Sequence, residues 1–422
     1  MKAAHLNTYA DHGGAAKAAL RICQSLRDMG CDASIVAICS RLNESYILSQ
    51  KSIFTSIKYT LFNKLSKVFI KLSNFRTENK ILHSPNLFSY YSATFLELLL
   101  PDLIHLHWIA ANLLSIEEVS KLRQPIVWTL HDMWAFCGAE HYTEDLRWKD
   151  GYYAHNRPAY EKGFDFNRWT WERKRKHWQK PIHIVAPSRW LGECVEQSAL
   201  MRSWPVSVIP NPINIEQWHP YDKDQVRQEL GLPLDTSVVL FGAMGGGKDP
   251  RKGFDLLKEA LGYLKGKGQP LQLVVFGKAQ PRKKQHLVFP VKYTGHITDE
   301  NYLCKFYSAA DVMIVPSRQD NLPNTAIEAI ACGTPVVAFN VGGLPDIVTH
   351  KHSGYLAQPF DPQDLAHGIQ WVLEDPQRHA ELCVQARVDA VGKFAYPVVA
   401  KQYLAVYEEV LEQHRQQQSP VR

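Results

Sequence analysis

The sequence predicts an α/β protein built from two similar parallel-sheet domains, and three observations predict it. Its 422 residues are more than one ordinary core holds. Short apolar runs alternate with helical segments along most of the chain, the pattern of a parallel sheet covered on both faces. The alternation breaks and restarts once, at IPNPINIEQWHP (209–220), where three prolines and two asparagines interrupt it.

In chain order, AAHLNT (3–8) reads as a strand, DHGG (11–14) as a turn, AAKAALRICQSLRDMG (15–30) as a helix ended by Gly30, and ASIVAIC (33–39) as a second strand. LIHLHW (103–108), PIVWTLH (125–131) and HIVAPS (183–188) continue the first set. SVVLFGAM (237–244), LQLVVFG (271–277), DVMIVPS (311–317) and PVVAFN (335–340) form the second. A closing helical pattern, PVVAKQYLAVYEEVLEQH (397–414), precedes a polar tail, QQQSPVR, expected to fray. The predicted division is 1–210, 211–395 and a C-terminal helix over 396–422 that packs back on the first domain.

Composition excludes several classes. Hydrophobic content of 45% with 21% charged residues is that of a globular chain. Eight scattered cysteines form no CxxC pair, which argues for reduced thiols rather than a disulfide framework or a zinc knuckle. The N-terminus lacks a signal-peptide run, and no window approaches the ~18–20 apolar residues of a spanning helix. A net charge of +6 suits an anionic ligand or membrane surface without requiring nucleic acid. One segment, 51–75, puts Ile53, Ile57, Leu61, Leu65, Val68 and Leu72 at helical spacing, with five lysines mostly off the stripe and no acidic residue. It reads either as a helix in an anionic membrane interface or as one packed on its own domain with solvated lysines.

Four places carry candidate chemistry. GAMGGGK (242–248) imitates a phosphate-binding P-loop, but Asp249 stands where a magnesium-holding Ser or Thr is needed, which argues against an NTPase. Its glycines, with Lys248, Arg251 and Lys252, still make a basic turn able to neutralise a diphosphate. In SRQDNLPNTAIEAIACGTPVVAFNVGG (317–343), Pro323 suits a first helical turn and Asn321 or Asp320 can cap it. The amides of Asn324 and Thr325 then point toward an anion, and Glu328, inside the helix, can take both hydroxyls of a ribose. Asp11–Gly14 is a Gly-Gly turn after the first strand, and His131-Asp132 closes the strand PIVWTL, where a histidine can hydrogen-bond a sugar hydroxyl or cap its loop. His105 and His107 share a strand face but show no third metal ligand. Aromatic residues crowded between Trp128 and Trp178 fit either sugar stacking or a core.

Taken in order, GGAAKAAL, TLHDMW, VIPNPIN, PRKGFDLL, YTGHI, ADVMIVPSRQDNLPNTAIEAIACGTPVVAFNVGG and HSGYLAQPFDPQDLAHGI resemble the family-4 retaining glycosyltransferases of GT-B fold. The closest likeness is to enzymes that assemble colanic acid, other exopolysaccharides or O-antigens. The resemblance implies two Rossmann-like domains facing a cleft, a nucleotide-diphosphate sugar donor, a saccharide or lipid-linked saccharide acceptor, no metal or other cofactor, and work at the cytoplasmic membrane face. Carried over by position, it implies that Glu328 holds the ribose and that Asp320 meets the sugar hydroxyls. Asn321, Leu322, Asn324 and Thr325 line the donor, Lys252 and Arg251 face the diphosphate, and Gly295, His296 and Ile297 meet the base. Gly13 and Gly14 line the phosphate and sugar end, and His131 sits beside the transferred sugar, so that His131, Asp320 and Lys252 are the expected catalytic set. The chain departs from the family pattern at Asp320, usually Glu, at Leu322-Pro323, often Phe-Gly, and at Ala243, usually Arg. A binding subunit without catalysis and a nucleotide-sugar epimerase are the alternatives.

Overall fold

A computed structural model describes residues 1–49, 53–73, 75–242, 249–266, 270–277 and 287–418, with only the helical backbone described over 53–56. Ala243 and Lys248, and with them most of the glycine loop, lie outside the described residues. The chain forms two units, Met1–Ile209 with Ala400–Arg422, and Pro210–Val399. The second boundary falls inside the last helix, Tyr396–Gln418. That helix takes in Gln416 to Gln418, which the sequence reading had assigned to a frayed tail.

In the first unit the strands are β1 (Lys2–Leu6), β2 (Asp32–Ala37), β3 (Ile47–Ser49), β4 (Leu103–Leu106), β5 (Ile126–Thr129), β6 (His183–Ala186) and β7 (Val206–Val208). They pair in parallel in the order β3-β2-β1-β4-β5-β6-β7. The second unit holds β8 (Ser237–Gly242), β9 (Leu271–Phe276), β10 (Val291–Gly295), β11 (Val312–Val315), β12 (Val336–Phe339) and β13 (Gly354–Ala357), parallel in the order β10-β9-β8-β11-β12-β13. In each sheet the order reverses between two neighbours, β1 and β4 in the first, β8 and β11 in the second. Loops leaving the C-terminal ends of such neighbours diverge and open a crevice for ligands.

The strands read as unbroken apolar runs because helices cover both faces. Along the second sheet Leu240, Val274, Met313, Val315, Val336 and Ala338 enter one core, while Phe241, Val275, Ile314, Val337 and Phe339 enter the opposite one. The first unit's core absorbs Trp128, Trp134, Trp148, Tyr152, Trp171 and Trp178, so these aromatics pack the interior and do not form a sugar-stacking cleft. Lys174 reinforces that packing from within: its buried ammonium donates to the carbonyls of Trp134, Cys137 and Gly138 and lies over the Trp134 ring. All eight cysteines are free thiols.

The segment with the lysine-flanked stripe is a helix, Ile53–Leu72, and its docked side is not the aliphatic one. Tyr59 packs on the first unit's core and shares a hydroxyl contact with Tyr9, Phe62 stacks on Phe88, and Ser66 and Asn63 meet Asn112. Ile57, Leu61, Leu65, Val68 and Leu72 remain 59%, 49%, 42%, 50% and 79% exposed. Among the described residues no helix is long and apolar enough to cross a membrane.

Phe339 is fully buried at the end of β12 in the second sheet. Phe339→Ala should destabilise that unit by about 3–5 kcal/mol, read as a lower urea midpoint; an unchanged midpoint would contradict the packing described.

Candidate active site

Two loops meet at the switch point of the second unit. After β8 the chain makes a short turn of 3₁₀ helix, Pro250–Lys252, and at once begins the helix Phe254–Tyr263. After β11 it runs through Ser317 to Leu322. Lys252 Nζ lies 2.6 Å from Asp320 Oδ2, and Ser317 Oγ donates to the same oxygen at 3.1 Å. The Asp320 carboxylate is largely buried while Lys252 stays partly open to solvent. An ion pair with one open partner can be rearranged by an incoming anion at modest cost.

Two glycines make the approach possible. Gly253 has φ +62°, and a Cβ there would fall 1.8 Å from the carbonyl oxygen of Pro316. Gly342 has φ +55°, and its Cβ would fall 2.1 Å from the carbonyl oxygen of Asp320, which accepts from the Gly343 amide at 3.1 Å. The loops are also laced by Arg318, whose amide donates to the Arg251 carbonyl at 2.6 Å and whose guanidinium grips Asp255 with two hydrogen bonds. These constraints fix the backbone of Asp320 from two sides.

Pro323 occupies the cap position of the helix Asn324–Ala331, with no side-chain cap. The cap position thus falls to Pro323 and not to Asp320 or Asn321, the residues expected there. Asp320 is held instead by Lys252, and Asn321 and Leu322 are buried beside it. The positive end of the helix dipole lies at this first turn, at Asn324 and Thr325. Glu328 lies one turn further in, 2% exposed, with the Tyr307 hydroxyl donating to Oε2 at 2.9 Å. At the far edge, Gly295 ends β10 with its carbonyl accepting from the Gly277 amide; His296 is exposed and Ile297 half-buried.

Some residues here escaped the sequence reading. Ser317 and Tyr307 orient the two carboxylates. Asn211 is buried and reaches the Leu322 carbonyl and Asn324 Oδ1 at 3.4 and 3.3 Å, while its own Oδ1 has no partner among the described residues. It was legible only as a hinge asparagine. Arg251 is less available than expected, because Asp249 pairs with it at 2.7 Å.

In the first unit Gly13 (φ +96°) caps the helix Gly14–Asp28 just beyond β1, and space around both glycines is open. His131 follows β5, half-buried, with Nε2 3.1 Å from His107 Nδ1; burial holds its pKa down at about 4, against the pull of Asp132. His5 supplies the third histidine that had seemed to be missing beside His105 and His107, their ligand atoms lying within 4.8 Å of one another. Each of those rings is already hydrogen-bonded through both nitrogens.

Residues 12–217 match the family described as Glycosyltransferase Family 4, and residues 222–388 the family described as Glycosyl transferases group 1. D-inositol 3-phosphate glycosyltransferase 2 of Catenulispora acidiphila is 32% identical over 225 residues, 50% of this chain and 52% of that one. The D-inositol 3-phosphate glycosyltransferase of Jonesia denitrificans is 34% identical over 220 residues, 48% and 51% of the two chains. The chain thus spans about half the length of the curated relatives it matches. Among solved structures, sucrose-phosphate synthase from Thermosynechococcus elongatus superposes with a TM-score of 0.68 at 19% identity, covering 98% of this chain and 99% of that one. Anabaena HepE, solved with UDP-glucose, superposes with a TM-score of 0.62 at 18% identity, covering 97% and 100%. Likeness at such identities shows the fold, two Rossmann-like parallel-sheet domains of GT-B type. With one family matched on each half, the chain belongs to the family 4 and group 1 glycosyltransferases.

Proposed function

We propose that this chain moves a glycosyl group from a nucleoside-diphosphate sugar to a lipid-linked saccharide, with retention of configuration, in the assembly of cell-surface polysaccharide. The observation that carries the reading is the Lys252–Asp320 pair at the second unit's switch point, joined to a helix that carries Glu328.

Each group then has a task. The donor diphosphate draws Lys252, supported by Arg251 and by the amides at Asn324 and Thr325. Asp320, released from Lys252, accepts from the sugar hydroxyls. Glu328 takes the ribose hydroxyls, with Asn321 and Leu322 shaping the wall and the backbone of Gly295, His296 and Ile297 meeting the base. Gly13 and Gly14 approach the phosphate and sugar, and His131 hydrogen-bonds the transferred sugar. Charge growing on the leaving diphosphate is met by fixed cations and helix amides, so the proposal assigns no step to a metal. The leaving phosphate draws the acceptor proton as the acceptor attacks from the same face.

The acceptor has two supported readings. The curated relatives are named for inositol 3-phosphate, which supports a small polyol phosphate. The helix Ile53–Leu72 favours a lipid-borne acceptor. Its solvent-facing aliphatic stripe, with Lys58, Lys64, Lys67 and Lys71 on the same helix and no acidic residue, suits the anionic inner face of a cytoplasmic membrane.

A panel of UDP-, GDP-, ADP- and dTDP-sugars, offered with lipid-linked saccharide or inositol phosphate in EDTA, tests the proposal by release of nucleoside diphosphate. We expect one donor to be turned over with the lipid-linked acceptor, undiminished by EDTA. Glu328→Ala should weaken donor binding by about 1.5–3 kcal/mol through lost charge-assisted hydrogen bonds. His131→Ala should lower turnover more than donor affinity. Binding of no donor would leave a non-catalytic binding subunit, and conversion of the donor without an acceptor would indicate an epimerase. The full chain should also co-sediment with phosphatidylglycerol vesicles and not with phosphatidylcholine ones, and the double substitution Leu61→Glu, Leu65→Glu should abolish this. Equal binding of both vesicle types would remove the membrane from the account.

A further inference from the structure

Behind His131 lies an unbranched line of hydrogen bonds. His131 Nε2 is 3.1 Å from His107 Nδ1, and His107 Nε2 is 3.0 Å from His5 Nδ1. His5 Nε2 is 3.3 Å from the Tyr407 hydroxyl, itself 2.6 Å from His105 Nδ1. His105 Nε2 is 2.7 Å from Thr129 Oγ1, and Thr129 is 3.1 Å from the Tyr403 hydroxyl, where the line ends. The sheet builds it: His5 and His105 are register partners on β1 and β4, His107 and Thr129 continue that face, and the last helix lays Tyr403 and Tyr407 over it. Of the seven side chains only His131 is not buried.

Proton counting then decides the direction of the line. Four neutral imidazoles and three hydroxyls carry seven protons for six links, so one proton is surplus. The imidazoles are neutral because burial holds His5 down at about 3 and His105 and His107 well below the usual histidine range. Every link has a single donor in only three kinds of arrangement. The bonds can all run toward Tyr403, converge on Tyr407 or Thr129, or all run toward His131. In the first two, the surplus proton is a hydroxyl proton with no acceptor among the described residues, in a fully buried site, which is unfavourable. In the third it sits on Nδ1 of the one side chain that is not buried.

We propose that this line is polarised toward His131, so that His105, His5, His107 and His131 all hold their proton on Nδ1 and His131 presents a fixed Nδ1–H donor. His5, His107, Tyr407, His105, Thr129 and Tyr403 are then positioning residues. Because Nε2 of His131 already accepts from His107, the ring is a neutral hydrogen-bond donor and neither a base nor a cation. A sugar hydroxyl oxygen is the class of group such a donor recognises. That last step rests on the glycosyltransferase reading, whereas the tautomer does not. A metal held by His5, His105 and His107 would need one lone pair from each ring and would break the line.

The test uses the full chain labelled with ¹⁵N-histidine, without donor, in long-range ¹H–¹⁵N imidazole spectra at neutral pH, assigned with His131→Asn and His107→Asn. The expected result is four rings with a protonated Nδ1 and a bare Nε2. In Tyr407→Phe, either direction leaves His5 Nε2 unpaired, so the His131 signals should shift toward a population protonated on Nε2. Protonation of wild-type His131 on Nε2 or on both nitrogens would overturn the proposal. So would stoichiometric zinc shifting the His5, His105 and His107 signals together, or His131 signals unmoved in Tyr407→Phe. If that variant does not fold, the wild-type spectrum alone decides. No donor is present, so failure of the transferase reading leaves this result standing.

Discussion

The ion pair between Lys252 and Asp320 organises the second unit's site. It joins loops that leave neighbouring strands at the point where strand order reverses, and it forms only because the backbones come close. Gly253 lets one loop lie against Pro316, and Gly342 lets the next turn lie against Asp320. With the Asp320 backbone held from both sides, the helix after it starts at Pro323 and carries Glu328 inward to Tyr307. A cation, a helix N-terminus and two carboxylates are thereby brought together by the geometry of one crossover. In the proposed reaction the pair is also a placeholder, since each partner finds a better counterpart once a diphosphate sugar is bound.

The first unit solves a different problem. Three buried histidines on one sheet face would each need partners, and burying a polar ring without them is costly. Tyrosines from the last helix meet that need and close a continuous line of hydrogen bonds. The same residues that satisfy the core therefore reach His131 at the strand ends, and in the proposed polarisation a packing requirement sets the chemistry of a half-buried ring.

Much of this was legible in the sequence, and the omissions have physical causes. The nine strands read from apolar runs are the interior ones. The four that were missed, β3, β7, β10 and β13, are the edges of the two sheets. Three of them are only half-buried, so no continuous apolar run announces them. Asp320, Glu328 and Lys252 stood out as candidates because ordered motifs surround them. Tyr307 and Ser317 were not, since nothing in their local sequence separates an orienting hydroxyl from any other. His5 was missed as the third histidine because its nearness to His105 is a matter of strand register, which spacing along one chain does not encode. Trp128, Trp134, Trp148, Tyr152, Trp171 and Trp178 fitted two readings, and only their burial chose the core.

Equilibrium titration of nucleoside diphosphates into the wild type, Lys252→Met and Asp320→Asn tests the central claim most directly. If Lys252 passes from Asp320 to the donor diphosphate, Lys252→Met binds at least about tenfold more weakly, a loss of ~1.4 kcal/mol or more. Asp320→Asn, which frees the lysine, should bind the diphosphate at least as tightly as the wild type. Equal affinity of the wild type and Lys252→Met would contradict the account and take the switch-point pair out of the donor site.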